Sequence, residues 1–355
     1  MGTEPPGGVA VLVYGAGAVG CFLGGLLAAS GADVTLLGRP DLVQAIHDGG
    51  LQLQRPDGDV SAAPLAITSL DRLPGPPDLV LLTTKAYAVA PALDELVSLG
   101  RGGATIVALQ NGVGTEETLL AQPAIQRLAS GAVTLSIGVD AAGTVRQETS
   151  GGGVTLASVR DEPALASLSA RLTRAGILSP VVDDYRALKW SKLLLNILGN
   201  ASAAILATPP AEIFADPRLF RLERAAFLEA LRVMRAAGTP TLRLPGFDVP
   251  LLALAMRLPP LLGRRLLAER VAGGRGGKRP SLWLDVERGR GLTEVAWLNG
   301  AVVRAGEAHG TPATVNALLA RLVEEVATDP ERRRELAGQP ERLLELVAEG
   351  EHARR

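Results

Sequence analysis

The chain has 355 residues, long for a single core, so two domains are the natural expectation. Its formal net charge of -1 gives no bulk attraction to nucleic acid or to an acidic membrane face, so an anionic ligand must be held by locally placed Arg and Lys. The single cysteine, Cys21, excludes an internal disulfide, and no Cys/His cluster marks a metal site.

An apolar fraction of 47% is ample for burial, and an aromatic share of 3% leaves Leu, Val and Ala to build the core. The start, Met1-Gly2-Thr3-Glu4-Pro5-Pro6, has no basic region and no signal-like apolar stretch, and Pro6 stands where a myristoylation signal wants Ser or Thr. The most apolar long segment, Pro250 to Leu262, carries Arg257 and Pro259-Pro260 and is too short and interrupted to span a bilayer. A soluble cytoplasmic protein with no nucleic-acid or membrane partner is expected.

Val9 to Tyr14 is a β-branched, apolar run ending at glycine, as a buried parallel strand should. Ala18 to Ser30 reads as a helix stopped by Gly31, and Val34 to Leu37 as a second strand; Leu79–Leu82 and Thr105–Leu109 follow with helical stretches between them. Strands alternating with helices imply a doubly wound, largely parallel sheet. Between Ala132 and Leu156 three short runs, Val133–Val139, Thr144–Glu148 and Gly153–Leu156, read as a partly antiparallel extension of it.

After Val181-Val182-Asp183-Asp184 the strand signal all but vanishes. Tyr185 to Leu206, Arg218 to Ala237, Leu284 to Gly306 and Thr314 to Val326 carry helical periodicity, and the charged tail from Asp329 reads as one or two exposed helices. The fold class is therefore α/β: an N-terminal Rossmann-type doubly wound sheet over residues 1–183, then an all-helical C-terminal domain over 184–355. The basic stretch Gly273 to Arg279 lacks interleaved aromatics and is too short for a nucleic-acid tract; a lid or a plain insertion suits it better.

Gly15-Ala16-Gly17-Ala18-Val19-Gly20 is a GxGxxG between a strand and a helix. The first glycine allows the turn, the second lets backbone approach a pyrophosphate, and the third lets helix and strand pack closely. The strand–turn–helix context and the strand that follows make this a dinucleotide site rather than a bare glycine turn. Arg39, in Leu37-Gly38-Arg39-Pro40 at the end of the second strand, can pair with a 2′-phosphate, Gly38 leaving room for it. Asp33 precedes that strand, at the wrong end to meet a ribose hydroxyl. NADP(H) is the expected cofactor, a solvated loop cation being the plainer reading of Arg39.

Lys189-Trp190-Ser191-Lys192-Leu193-Leu194-Leu195-Asn196-Ile197-Leu198-Gly199-Asn200 is the most informative segment. Steps of four return to one helix face, so Lys192, Asn196 and Asn200 form a polar stripe that either pairs internally or lines a wet cavity. A desolvated lysine suits proton delivery to a carbonyl, and asparagine can hold a hydroxyl or carboxylate.

Lys-Leu-x-x-Asn-x-x-x-Asn, with Trp190 two residues before the lysine, resembles the signature of ketopantoate reductases. Leu82-Thr83-Thr84-Lys85-Ala86-Tyr87 is similar to that family's "TKA" segment, and Gln110-Asn111-Gly112-Val113-Gly114 to its "QNG" turn. Pro280 to Asp285 resembles its "SxxxD" helix start, and Thr293 to Gly300 its "TEIDYLNG". The resemblance runs from Val9 to about Leu319 and implies an NADPH-dependent 2-keto acid reductase.

Carried over residue by residue, it makes Lys192 the general acid and Glu294 its carboxylate partner, with Lys189 the rival donor. Asn111, Asn196, Asn200 and Ser281 become substrate ligands. Lys85, Asn111 and Glu294 join Gly15 to Gly20 and Arg39 at the cofactor. The implied partners are a small-molecule 2-keto acid and, through the helical domain, a second copy of the chain in a homodimer. Three departures stand on the substrate side: Ala296 replaces the family's Asp, one extra residue lies near Gly291-Leu292, and Leu242 to Arg279 is enlarged. A β-hydroxyacid dehydrogenase would want a glycine-rich approach to its lysine, where this chain has Arg186-Ala187-Leu188. A non-catalytic NADP sensor would not need Lys192.

Overall fold

The computed structural model describes residues 9–100, 102–160, 165–260 and 279–352. They fall into two compact units. The first holds the chain to Gln110, Thr115–Leu188 and Leu244–Phe247; the second holds Asn111–Gly114, Lys189–Arg243 and the chain from Asp248 onward.

The first unit runs β1 (Ala10–Tyr14), α1 (Ala18–Ala29), β2 (Asp33–Leu37), α2 (Pro40–Gly49), β3 (Leu51–Gln54), β4 (Val60–Ala62) and β5 (Leu65–Ile67). It continues through β6 (Leu79–Leu82), α3 (Val89–Ser98), β7 (Thr105–Ala108), α4 (Thr115–Leu120), β8 (Leu128–Val133), β9 (Ile137–Ala141) and β10 (Thr144–Gln147). It ends with β11 (Val154–Arg160), α5 (Leu165–Arg174) and β12 (Val181–Val182). An 8-stranded sheet has the order β12-β11-β8-β7-β6-β1-β2-β5, parallel from β5 to β8 and turning antiparallel between β8 and β11. This is the Rossmann-type sheet expected of the alternating pattern, with β1, β6 and β7 buried at its centre.

The predicted extension needs correction. The Gly153–Leu156 run joins the large sheet, where it pairs with β8 ending at Val133, but β9 and β10 pair with β3 and β4 in a separate 4-stranded sheet, β4-β3-β10-β9. Its two central strands, β3 and β10, alternate between buried and open positions because a single face is covered. What covers that face is α1, whose sequence announces it: Gly20 to Leu27 are buried without interruption, so the helix has no polar side. A methyl at Gly24 would lie 2.7 Å from Leu36 of the large sheet, and one at Gly25 2.8 Å from Leu51 of the small one. The paired glycines let one helix pack between two sheets.

The second unit is helical: α6 (Tyr185–Ile197), whose first turn belongs to the first unit, α7 (Ala201–Leu206), α8 (Pro210–Ala215), α9 (Pro217–Ala236) and α10 (Val249–Arg257), then α11 (Ser281–Glu287), α12 (Asn299–Ala308), α13 (Thr314–Thr328), α14 (Pro330–Leu336) and α15 (Pro340–His352). No strand follows β12 among the described residues, as expected. Two predicted helices are each broken in two. Tyr185 to Leu206 divides at Leu198–Asn200, and Leu284 to Gly306 divides where Gly289 and Gly291 end α11 and a 3-10 turn, Val295–Trp297, leads into α12. The tail forms two helices, but Leu336 and Leu343 are fully buried rather than exposed. Gly273 to Lys278 lie outside the described residues.

The second unit buries charge as well as apolar surface. Glu229 on α9 accepts from Val315 N and Asn316 N at 3.0 Å each and from the Asn316 side chain at 2.9 Å, holding the start of α13. Asn316 in turn accepts from Asn299 Nδ2 at 3.0 Å, which ties the start of α12 to the same carboxylate. Buried polar groups persist where they are paired in this way.

Candidate active site

In the first unit the glycine loop hangs from the end of β2: Gly15 N and Ala16 N both donate to Leu37 O, at 3.3 and 2.9 Å. Thr83, after β6, donates its hydroxyl to Gly15 O at 2.7 Å, so the "TKA" segment braces the loop. A methyl on Gly15 would meet Thr84 N at 2.8 Å, and one on Gly20 would meet Gly15 O at 2.6 Å; both glycines are fixed by packing. Gly17 differs. Nothing lies within 4 Å of the place its Cβ would take, and it caps α1 without a side-chain bond. The loop therefore presents open backbone and the amide end of Ala18 and Val19 outward, the arrangement that receives a pyrophosphate.

Arg39 sits at the N-cap of α2, and its side chain is 76% exposed, with only a loose 3.9 Å approach to Asp41. Such an exposed pair holds the guanidinium weakly. Gly38 serves packing rather than ligand space: a methyl there would lie 2.9 Å from Leu42 and 3.1 Å from Ala16. Asp33 opens β2 opposite Ala10, at the far end of the strand. Lys85 is half-buried at the N-cap of the 3-10 turn Ala86–Ala88. Cys21 lies in α1 with its thiol directed at Ala16 O, 3.5 Å away, and burial pushes its pKa up to about 12. Tyr14, ending β1, donates to Glu95; burial, with that carboxylate adding to it, holds the phenol well above its ordinary range.

In the second unit Asn196 Nδ2 donates to Asn111 Oδ1 at 2.9 Å, joining α6 to the glycine turn. The turn is pinned from its other side, since Val113 N donates to Trp297 O at 2.9 Å. Gly112 has φ 88°, and a methyl on it would stand 2.3 Å from that same Trp297 oxygen. Glu294 begins the 3-10 turn that carries Trp297 and is buried at 2% exposure. Lys192 is half-buried one turn before Asn196, whereas Lys189 is 3% exposed.

Asn200 departs from the single helical stripe. α6 ends at Ile197, and Asn200 lies beyond the turn, at the N-cap of α7. Its Nδ2 donates to Ser281 Oγ at 3.3 Å, and its Oδ1 accepts from Leu282 N at 3.1 Å, fastening the start of α11. The candidate ligands thus form two pairs, Asn111 with Asn196 and Asn200 with Ser281. Trp297 and Thr83, which hold these loops, act through a backbone carbonyl and a hydroxyl bond that no sequence period reveals.

Residues 11–161 match the family "Ketopantoate reductase PanE/ApbA", and residues 184–327 match "Ketopantoate reductase PanE/ApbA C terminal". A 2-dehydropantoate 2-reductase of Mesorhizobium japonicum is 29% identical over 343 residues, covering 90% of this chain and 98% of the relative. The crystal structure of a PanE/ApbA family ketopantoate reductase from Ralstonia eutropha superposes with a TM-score of 0.76 at 29% identity, covering 91% of this chain and 99% of that one. A D-mandelate dehydrogenase solved with NADH and anilino(oxo)acetate shares the fold, with a TM-score of 0.75 at 24% identity and coverage of 92% and 99%. The chain belongs to the ketopantoate reductase PanE/ApbA family of oxidoreductases, built on an NAD(P)-binding Rossmann fold.

Proposed function

We propose that this protein reduces a 2-keto acid to the 2-hydroxy acid with NADPH, and that 2-dehydropantoate and pantoate are the pair it serves. The observation that carries the reading is the Asn196–Asn111 bond, one helical turn from Lys192. It gathers two of the expected substrate ligands beside the expected acid. When bound, NADPH supplies the hydride that reaches the keto carbon.

The chain's own residues do the rest. Lys192 Nζ gives its proton to the keto oxygen as charge develops there, so C=O becomes CH–OH and the lysine is left neutral until it is reprotonated. Glu294 is the carboxylate partner that anchors Lys192 before the transfer. Asn111, Asn196, Asn200 and Ser281 orient the carboxylate and hydroxyl of the substrate. Gly15 to Gly20 hold the pyrophosphate, Lys85 contacts the cofactor, and the exposed Arg39 pairs with the 2′-phosphate. On this reading residues 1–183 carry the cofactor, and residues 184–355 carry the substrate and the contact of a cytoplasmic homodimer.

The relatives that carry most weight are 2-dehydropantoate 2-reductases. The same fold also serves a D-mandelate dehydrogenase, so the test must offer more than one acid. NADPH absorbance loss is followed with 2-dehydropantoate, 2-ketoisovalerate and an aryl 2-keto acid, and repeated with NADH. Turnover of 2-dehydropantoate with NADPH supports the proposal. No turnover of any 2-keto acid with either cofactor overturns it.

A further inference from the structure

Asn200 occupies the N-cap of α7 but makes no side-chain bond to that helix. An asparagine in this position ordinarily turns its oxygen onto the second or third amide of its own helix. Here the oxygen serves Leu282 N and the amide serves Ser281 Oγ. Ala201 to Leu206 are all buried, so the turn into α7 is fixed by protein groups rather than by water.

Glu223 on α9 holds that turn. Its buried carboxylate takes the Gly199 N–H at 2.7 Å and the Ser202 hydroxyl, one on each oxygen. These two groups lie on either side of Asn200. Gly199, at φ 62°, makes the reversal between α6 and α7, where a methyl would come within 2.9 Å of the Phe214 ring. Glu223 thus clamps the turn from which Asn196 and Asn200 diverge.

We propose that Glu223 is a positioning residue for substrate binding: by clamping the turn between α6 and α7 from a neighbouring helix it fixes Asn200 where it holds Ser281 and the start of α11. The proposal rests on the reading that Asn200 and Ser281 hold the keto acid. Removal of the carboxylate frees Gly199 N and the Ser202 hydroxyl and loosens the turn, so that Asn200 loses its fixed hold on Ser281 and Leu282 N. Glutamine keeps the arrangement, since its oxygen accepts from Gly199 and its NH2 donates to the Ser202 hydroxyl.

The test compares Glu223→Ala, Glu223→Gln, Ser202→Ala and Ser281→Ala by steady-state kinetics with 2-dehydropantoate and NADPH. Glu223→Ala should raise KM for the keto acid about tenfold, the scale of a lost hydrogen bond to a charged group, with KM for NADPH nearly unchanged. Glu223→Gln should restore the parent value. Ser202→Ala, which removes one bond and leaves the one to Gly199 N, should give a smaller rise of the same kind and decides the matter if Glu223→Ala does not fold. Unchanged keto-acid KM in Glu223→Ala or, failing its folding, in Ser202→Ala overturns the positioning role, as does an equal loss for both substrates that glutamine does not restore. Ser281→Ala separates the two levels. If it raises the keto-acid KM while the other variants do not, this inference alone falls; if it changes nothing, the substrate site falls with it.

Discussion

Asn196 Nδ2 donates to Asn111 Oδ1 at 2.9 Å across 85 residues of sequence. A primary amide offers two donors and one carbonyl acceptor, and this bond uses one donor from α6 and the acceptor of the turn. It leaves the Asn111 NH2 as a donor pair and the Asn196 oxygen as an acceptor. The two groups suit different parts of a hydroxylated 2-keto acid, one an anionic or keto oxygen and the other a hydroxyl.

That division depends on where the turn sits, and Gly112 decides it. Gly112→Ala would force alanine to φ 88° and place its methyl 2.3 Å from Trp297 O. Left-handed backbone alone costs about 1–2 kcal/mol for a residue with a Cβ, and the clash adds to it. The variant should lose about 2 kcal/mol or more of stability, read from its denaturant midpoint, and roughly tenfold or more in kcat/KM as Asn111 moves. Parent-like stability would show that the turn tolerates a Cβ.

The proton donor is tested by removing each lysine in turn. Lys192→Ala should cut kcat at least roughly a hundredfold, the lower range for positioned proton transfer, while NADPH binding followed by fluorescence stays near that of the parent. Lys189 lies on the same helix and is buried, so Lys189→Ala should lower stability more than it lowers the chemical step. A crippled Lys189→Ala beside an active Lys192→Ala would exchange the two roles.

Much of this was legible in the chain. The uniform apolarity of Val11 to Val13 and of Leu79 to Leu82 marks buried parallel strands, and the glycine loop between β1 and α1 lies where its spacing put it. The small sheet was not legible, because Leu51–Gln54 and Val60–Ala62 are too short for period to speak above composition. Lys192 and Asn196 do share a helix, but periodicity could not show that it ends before Asn200. The break is set by Gly199 and by Glu223, which is distant in sequence and reaches the turn only through tertiary packing. Periodicity reads a face, and an acceptor supplied by another helix leaves no trace in it.

Cofactor choice turns on Arg39. Its guanidinium is exposed and only loosely tied to Asp41, so its removal leaves no broken internal bond to confuse the result. Arg39→Ala should weaken NADPH by about 1.5–3 kcal/mol, roughly ten- to a hundredfold, and leave NADH nearly unchanged. Equal losses for the two dinucleotides would take Arg39 out of the 2′-phosphate site.

The lone thiol should be inert. Burial pushes Cys21 up to about 12, so the native protein holds it protonated through the neutral and mildly alkaline range. The sign of the linkage follows. The folded state keeps a proton that the unfolded thiol, titrating near 9, gives up, so this contribution is complete below pH 9 and declines as pH rises toward 12. Iodoacetamide at pH 8 should label the unfolded chain readily and the native chain slowly; rapid native labelling would mean that the thiol is reachable and ionised.

The substrate is the last question, and the paired ligands give it a sharp form. 2-Dehydropantoate carries a hydroxyl that 2-ketoisovalerate lacks, while both share the branched carbon and the 2-keto acid. If Asn196 and the Asn200–Ser281 pair meet that hydroxyl, the deoxy acid leaves desolvated polar groups without partners. A site of that kind can reject an analogue lacking the hydroxyl by about four orders of magnitude. The opposing influence is Ala296, two residues after buried Glu294: it stands where the family's pattern has Asp, and if that turn borders the substrate the shorter side chain would favour a bulkier acid. The ratio of kcat/KM values for the two acids weighs these effects against each other. A ratio of about a thousand or more in favour of 2-dehydropantoate would mean that the hydroxyl is read. A ratio near one, or faster turnover of an aryl 2-keto acid, would keep the reductase chemistry and reject 2-dehydropantoate as the substrate.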